Sequence, residues 1–187
     1  MFEIIAYDRS LFQFLNSFHN EFWDFIMFWF SYKFTWIPLY GLLIFLLFKK
    51  YKKKAFIVLL FIAGMIAITD QTCNLFKKNI QRPRPCREEA MLEPSARTLN
   101  GYHCSKYGFF SGHAANSFAA AIFISGLLSP FYKKIAWFLI PWAAVTAYSR
   151  VYLGVHYPLD ILCGAICGIL FARLFLKLAL LVIKKPV

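Results

Sequence analysis

Charge is what this chain has least of. Only 16% of its 187 residues are Asp, Glu, Lys or Arg, and nine are acidic, against about 25% charged in soluble domains. With 60% hydrophobic and 20% aromatic residues, a water-facing surface of ordinary polarity cannot be built. A soluble globular domain is excluded, and an integral membrane protein is left. No group of carboxylates has the pattern of a two-metal ligand set. The five cysteines match no standard zinc spacing. The first residues carry Glu3, Asp8 and Arg9 and lack a basic start followed by an apolar core, so no cleavable leader is expected and the first span directs insertion. No paired repeat with interrupted helices marks a transporter.

What is present is a series of helix-long apolar runs separated by short basic clusters. The net charge of +12 lies largely in clusters such as Lys49-Lys50-Tyr51-Lys52-Lys53-Lys54. That placement follows the positive-inside rule for cytoplasmic loops and not a nucleic-acid surface. Residues about 8–20 place Leu11, Phe12, Phe14, Leu15 and Phe18 near helical spacing, which predicts an interfacial amphipathic helix. Residues about 22–48 read as a short aromatic helix, a bend and a span from about 34 to 49, or else as one long kinked helix. Further spans are expected at about 55–76, 111–129, 134–149 and 158–182. The fold class is therefore an all-α integral membrane protein, a single domain over residues 1–187. It is a bundle of about five to six transmembrane helices with an N-terminal interfacial helix. Five spans put Lys49–Lys54, Lys133-Lys134 and the tail Lys184-Lys185-Pro186-Val187 on one side, read as cytoplasmic. The polar loop of about 78–109 and the stretch after the fourth span fall on the other. That loop carries Lys78, Arg82, Arg84, Arg87, Arg97 and Lys106 against Glu88, Glu89 and Glu93.

Three clusters border that second face. The first runs from Lys77 to Arg84-Pro85, a mobile point charge followed by a planar fork suited to two phosphate oxygens. Alone, it reads equally as a basic interface anchor. The second is Phe110-Ser111-Gly112-His113 at the start of the third span. Amide groups at a helix N-terminus favour anions, and His113 is placed to protonate a leaving group. Its plainer reading is an ordinary N-cap with an interfacial histidine. The third runs from Ser149-Arg150 through His156 to Asp160. Arg150 can hold an oxyanion, His156 can attack one, and Asp160 four residues on can fix the imidazole tautomer. Taken singly, this stretch is also an Arg–Asp interface pair with a bystander His. Asp70, Asn74 and Lys77 share one helix face, which makes Asp70 and Asn74 candidate supports for Lys77. Cys86 and Cys104 bracket the polar loop and form a candidate disulfide if it faces an oxidising compartment, with free thiols or a metal site as the alternatives. Cys73, Cys163 and Cys167 lie in apolar segments as small core residues.

In order and spacing the three clusters resemble the type 2 phosphatidic acid phosphatase superfamily, whose pattern is KxxxxxxRP, PSGH and SRxxxxxHxxxD. The resemblance covers about residues 55–182, and its one departure is Phe110 where the family usually has Pro. It implies phosphate binding by Lys77, Arg84, Ser111, Gly112 and Arg150. It makes His113 the general acid, His156 the nucleophile and Asp160 its orienting partner, with no metal or other cofactor required. It implies a bacterial inner-membrane enzyme with its site at the periplasmic face and a lipid phosphate as substrate. The expected partners are bilayer lipids, with no nucleic acid and no obligate protein partner. Undecaprenyl diphosphate is the preferred substrate on compactness, ahead of lipid A, phosphatidylglycerol phosphate and phosphatidic acid. A non-enzymatic anion transporter or structural membrane subunit is the reading of another class.

Overall fold

A computed structural model describes residues 2–88, 96–99 and 104–183. Glu89, Glu93 and the basic tail from Lys184 to Val187 lie outside these. Among the described residues the chain is helical, with α1 (Phe2–Ser17), α2 (Glu21–Ser31), α3 (Ile37–Tyr51), α4 (Ala55–Ile80), α5 (Gly112–Leu128), α6 (Ile135–Tyr152) and α7 (Pro158–Ile183).

Local chemistry sets the boundaries. The helix expected over about 8–20 instead begins at Phe2 and stops at Ser17. Asn20 is taken as the N-cap of α2, accepting from the Trp23 amide at 2.9 Å, and a residue with cap dihedrals cannot continue the preceding helix. Between α2 and α3 a 3-10 turn at Lys33–Trp36 makes the bend, and Pro38 sits in the first turn of α3, where a missing N–H costs nothing. Lys52, at φ +50°, ends α3. The chain turns back with the Phe48 and Phe56 rings 4.9 Å apart. The helix expected to end near residue 76 runs on to Ile80, where Lys77 and Lys78 complement its C-terminal dipole.

Helix α5 is buried on nearly all sides and forms the centre of the bundle. Helix α7 packs on it unusually closely. A Cβ added at Gly164 would lie 2.5 Å from the Ser111 carbonyl oxygen, and one at Gly168 would lie 2.1 Å from that of Ala115. Only glycine permits this approach, as in helix pairs that associate within lipid. The opposite face of α7 exposes Leu162, Ile166, Leu170, Leu174 and Leu181. Small residues inward and large apolar residues outward suit a hydrocarbon solvent and not water. The stretches Lys33–Ile80 and Pro158–Ile183 are long and apolar enough to cross a bilayer.

The bundle has two unlike ends. At one, Lys50 Nζ lies 4.9 Å and 5.4 Å from the ring centroids of Phe131 and Tyr132, and the Tyr51 hydroxyl donates to the Leu127 carbonyl. The lysine turn and the α5–α6 turn therefore meet. At the other end the loop after α4 docks on the α6–α7 connection, the Cys86 amide donating to the Gly154 carbonyl at 3.1 Å. Cys86 and Cys104 are joined in a disulfide with Cα atoms 6.4 Å apart.

Candidate active site

The connection from α6 to α7 is a compact reversal. Gly154, at φ +71°, makes the turn, and the Val155 and His156 amides both donate to the Arg150 carbonyl. The backbone thus fixes His156 against the last turn of α6. Pro158 opens α7, placing Asp160 in its first turn. Asp160 Oδ2 lies 3.3 Å from His156 Nδ1 and accepts from the Tyr157 amide at 3.0 Å. With Nδ1 engaged, Nε2 is the nitrogen left for chemistry. His156 is buried, and its loop faces four cations. Burial, with the charges of Arg84, Arg150, Lys77 and Arg82, holds its imidazole well below the usual histidine range.

The other two clusters close on this point. Ser111 is the N-cap of α5, its hydroxyl accepting from the Ala114 amide, while its own amide donates to the Asp160 carbonyl at 3.0 Å. The second and third clusters are thus joined backbone to backbone. An atom built at the Cβ position of Gly112 would lie 3.9 Å from Lys77 Nζ and 3.7 Å from Asp70 Oδ1, so α4 reaches the start of α5 there. Arg84 is buried, with Nε donating to the Tyr107 carbonyl at 3.0 Å. At Gly108, beside it, a Cβ would lie 3.0 Å from Asp160 Oδ2 and 3.1 Å from Arg84 Cγ, so a side chain there would press on both.

Lys77, Arg84, Gly112, His113, Arg150 and His156 all line one cavity of about 710 Å3. Beyond them it continues between α3, α4 and α5 along Trp36, Tyr40, Leu43, Leu47 and Ile62. One end is cationic and the rest apolar, the shape of a charged headgroup on a hydrocarbon chain. Ser111 and Asp160 stand behind the wall. Asp70 lines the cavity, but its Oδ1 accepts from Asn116 Nδ2 of α5 at 2.7 Å, and not from the expected Asn74 or Lys77. Asn74 lies on an exposed face of α4 outside the cavity.

Some residues around the site carry no motif signal. Ser31 of α2 is buried and accepts from Arg150 Nη1. Arg82 binds Asp160 Oδ1 at 2.9 Å and Asp8 Oδ2 at 2.6 Å. Asp8 Oδ1 also accepts from the Leu159 amide. Arg82 could have been suspected from its place inside the first motif. Asp8 and Ser31 had no local signal, since a lone polar residue on a short helix looks like any solvated position.

Three basic side chains converging on two histidines, inside helices whose outer face is apolar, define a membrane protein built to hold a phosphate-like oxyanion. The chain belongs to the PAP2 superfamily, whose family model matches residues 55–183. It is similar to the lipid A 4'-phosphatase of Bacteroides thetaiotaomicron, 38% identical over 163 residues that cover 86% of this chain and 72% of that protein. The lipid A 4'-phosphatase of Porphyromonas gingivalis is 32% identical over 184 residues, 95% of this chain and 75% of that one. In fold the chain is similar to the transmembrane PAP2 type phosphatidylglycerolphosphate phosphatase of Bacillus subtilis, with a TM-score of 0.74 at 22% identity, covering 94% of this chain and 86% of that one. It is a membrane lipid phosphatase, a hydrolase of phosphate esters.

Proposed function

We propose that this enzyme removes the 4'-phosphate of lipid A at the periplasmic face of a bacterial inner membrane, through a phosphohistidine on His156. The observation that carries the chemistry is the His156–Asp160 pair, buried at the cationic end of a cavity otherwise apolar. The Nε2 lone pair of His156 attacks phosphorus as the bond to the sugar oxygen breaks, and His113 gives that oxygen its proton. Lys77, Arg84, Arg150 and the Gly112 amide hold the other phosphate oxygens as charge builds in the pentavalent transition state, with the Ser111 cap setting the start of α5. Water then attacks the phosphorus of the P–N intermediate while His113 takes its proton, and inorganic phosphate leaves.

The names of the two curated relatives support lipid A over undecaprenyl diphosphate, which compactness alone had favoured. Orientation rests on the lysine turn at the end away from the site and on the disulfide beside it, which suits an oxidising compartment. We read α3 to α7 as five spans and α1 as interfacial. Its Ile4, Tyr7, Leu11 and Phe14 are exposed along one side, while Asp8, Phe12 and Asn16 turn inward.

The test is phosphate release by purified enzyme in detergent from lipid A, undecaprenyl diphosphate and phosphatidylglycerol phosphate, with His156→Ala beside wild type. Lipid A is expected to turn over fastest, with His156→Ala inactive on all three. Faster release from undecaprenyl diphosphate overturns the substrate, and full turnover by His156→Ala overturns the nucleophile.

A further inference from the structure

We propose that Asp8 and Arg82 are positioning residues for the nucleophile, an ion-pair chain from the N-terminal helix α1 that holds Asp160, and through it His156, in the attacking geometry. The inference rests on His156 being the nucleophile. The first residue of this chain of contacts lies outside the stretch that the family model matches, which begins at residue 55.

The geometry is continuous. Arg82 spends its two terminal nitrogens on two different carboxylates, Nη1 on Asp160 Oδ1 and Nη2 on Asp8 Oδ2. Asp160 presents its other oxygen, Oδ2, to His156 Nδ1. Asp8 likewise divides its oxygens, with Oδ2 on Arg82 and Oδ1 on the Leu159 amide at the start of α7. One carboxylate of α1 therefore fixes both the cation that faces Asp160 and the helix turn that carries it. Arg82 does not line the cavity, whereas Arg84 and Arg150 do, so it stands behind the site as a brace and not as a phosphate ligand. Its guanidinium carbon sits 4.2 Å over the Tyr157 ring, a further contact on the side away from the cavity lining.

The flanking contacts keep α1 in place. Arg9 pairs with Glu88 at 3.0 Å, and Glu88 also accepts from the Tyr157 hydroxyl. Phe12 lies edge-on to the same Tyr157 ring, centroids 5.3 Å apart. The side chains of Asp8 and Asp160 are 6% and 0% exposed, so solvent screens this chain little. The Tyr157 amide and His156 engage Oδ2 of Asp160, and Arg82 engages Oδ1, so both oxygens of the orienting carboxylate are held.

The test separates bracing from mere folding by charge. The charged groups facing His156 are Asp160 of α7, Arg150 of α6, His113 of α5, Lys77 of α4, and Arg82 and Arg84 of the loop. Arg82→Gln removes a cation from that set. Asp8→Asn keeps an acceptor for the Leu159 amide but leaves Arg82 without one of its counter-charges. Wild type, both variants, Arg82→Lys and His156→Ala are assayed on phosphatidic acid in detergent, recording kcat, KM, the pH profile of kcat/KM and the melting temperature. Arg82→Gln is expected to lose about 100-fold in kcat with KM little changed, the size of a misplaced reacting group. Its acid limb moves to higher pH, while that of Asp8→Asn moves to lower pH. Arg82→Lys, which reaches one carboxylate but not both, falls between wild type and Arg82→Gln. If activity falls only in proportion to melting temperature and both limbs stay in place, the residues are structural and the proposal fails. If His156→Ala keeps full turnover, the reading of the site fails instead. If His156→Ala is dead while Arg82→Gln and Asp8→Asn match wild type, only the brace is overturned.

Discussion

The two ends of the bundle use the same kinds of residue to opposite purpose. At one end Lys52 and Lys53 are exposed beside Lys49, Lys50 and Lys54, and Lys50 lies against aromatic rings. At the other, Arg84 and Arg150 are buried, and Lys77 is turned into a cavity. Lys52 and Lys53 stay in reach of water. The group at the other end gives up hydration and is repaid only by an anion or a fixed neighbour. The difference shows that neither charge count nor residue type marks the site. What marks it is how much water each cation has lost, and which groups hold it where it stands.

The sharpest way to break this contrast is to remove the group that the buried cations serve. Asp160→Asn keeps the shape but offers the wrong hydrogen-bond partner to His156 Nδ1, and kcat should fall by about 10^4-fold. Arg150→Lys keeps the charge but loses the planar fork and the contact with Ser31, and about 100-fold in kcat is expected, read by phosphate release. Because His156 lies well below the usual histidine range, kcat/KM should hold as pH falls through about 6.5 and drop only in stronger acid. The same shift sets a stability slope. Below about 6.5 the unfolded chain takes up a proton that the folded site refuses, so the melting temperature should decline as pH falls from there towards the folded value. Cys86→Ser opens a loop of 18 residues' separation and should cost about 3 kcal/mol, measured by unfolding under non-reducing conditions. At the far end Lys53→Gln should change stability by less than about 0.5 kcal/mol and leave phosphate release unaltered. A large loss of turnover there would erase the distinction between the ends.

Local pattern carried the parts of this molecule that depend on neighbours in sequence. The His156–Asp160 pair is four residues apart, and Ser111 sits beside a helix start, so both are legible in a line of text. The α2–α3 bend follows from Lys33 and Pro38, and α1's end follows from Asn20 acting as a cap for the next helix. Pairs that span the fold were not legible. Asp8 and Arg82 are separated by 74 residues and Arg150 and Ser31 by 119. Nothing in the flanking sequence of Asp8 distinguishes a braced carboxylate from one in water. Asp70 was read toward its own helix, yet its hydrogen bond crosses to Asn116, because helix spacing describes a face and not what packs on it. Chain length says little about the headgroup for a similar reason. Compactness describes the scaffold, while the motifs describe only the phosphate that all candidate lipids share.

The cavity that is cationic for one part and apolar for the rest has a kinetic meaning. Under the proposed function, a lipid whose tail sits between α3, α4 and α5 would enter the site from the bilayer and not from bulk water. The quantity that saturates the enzyme would then be the mole fraction of substrate among surrounding amphiphiles. Adding inert detergent at fixed substrate should slow turnover as a competitive inhibitor would, by diluting a surface and without occupying His156.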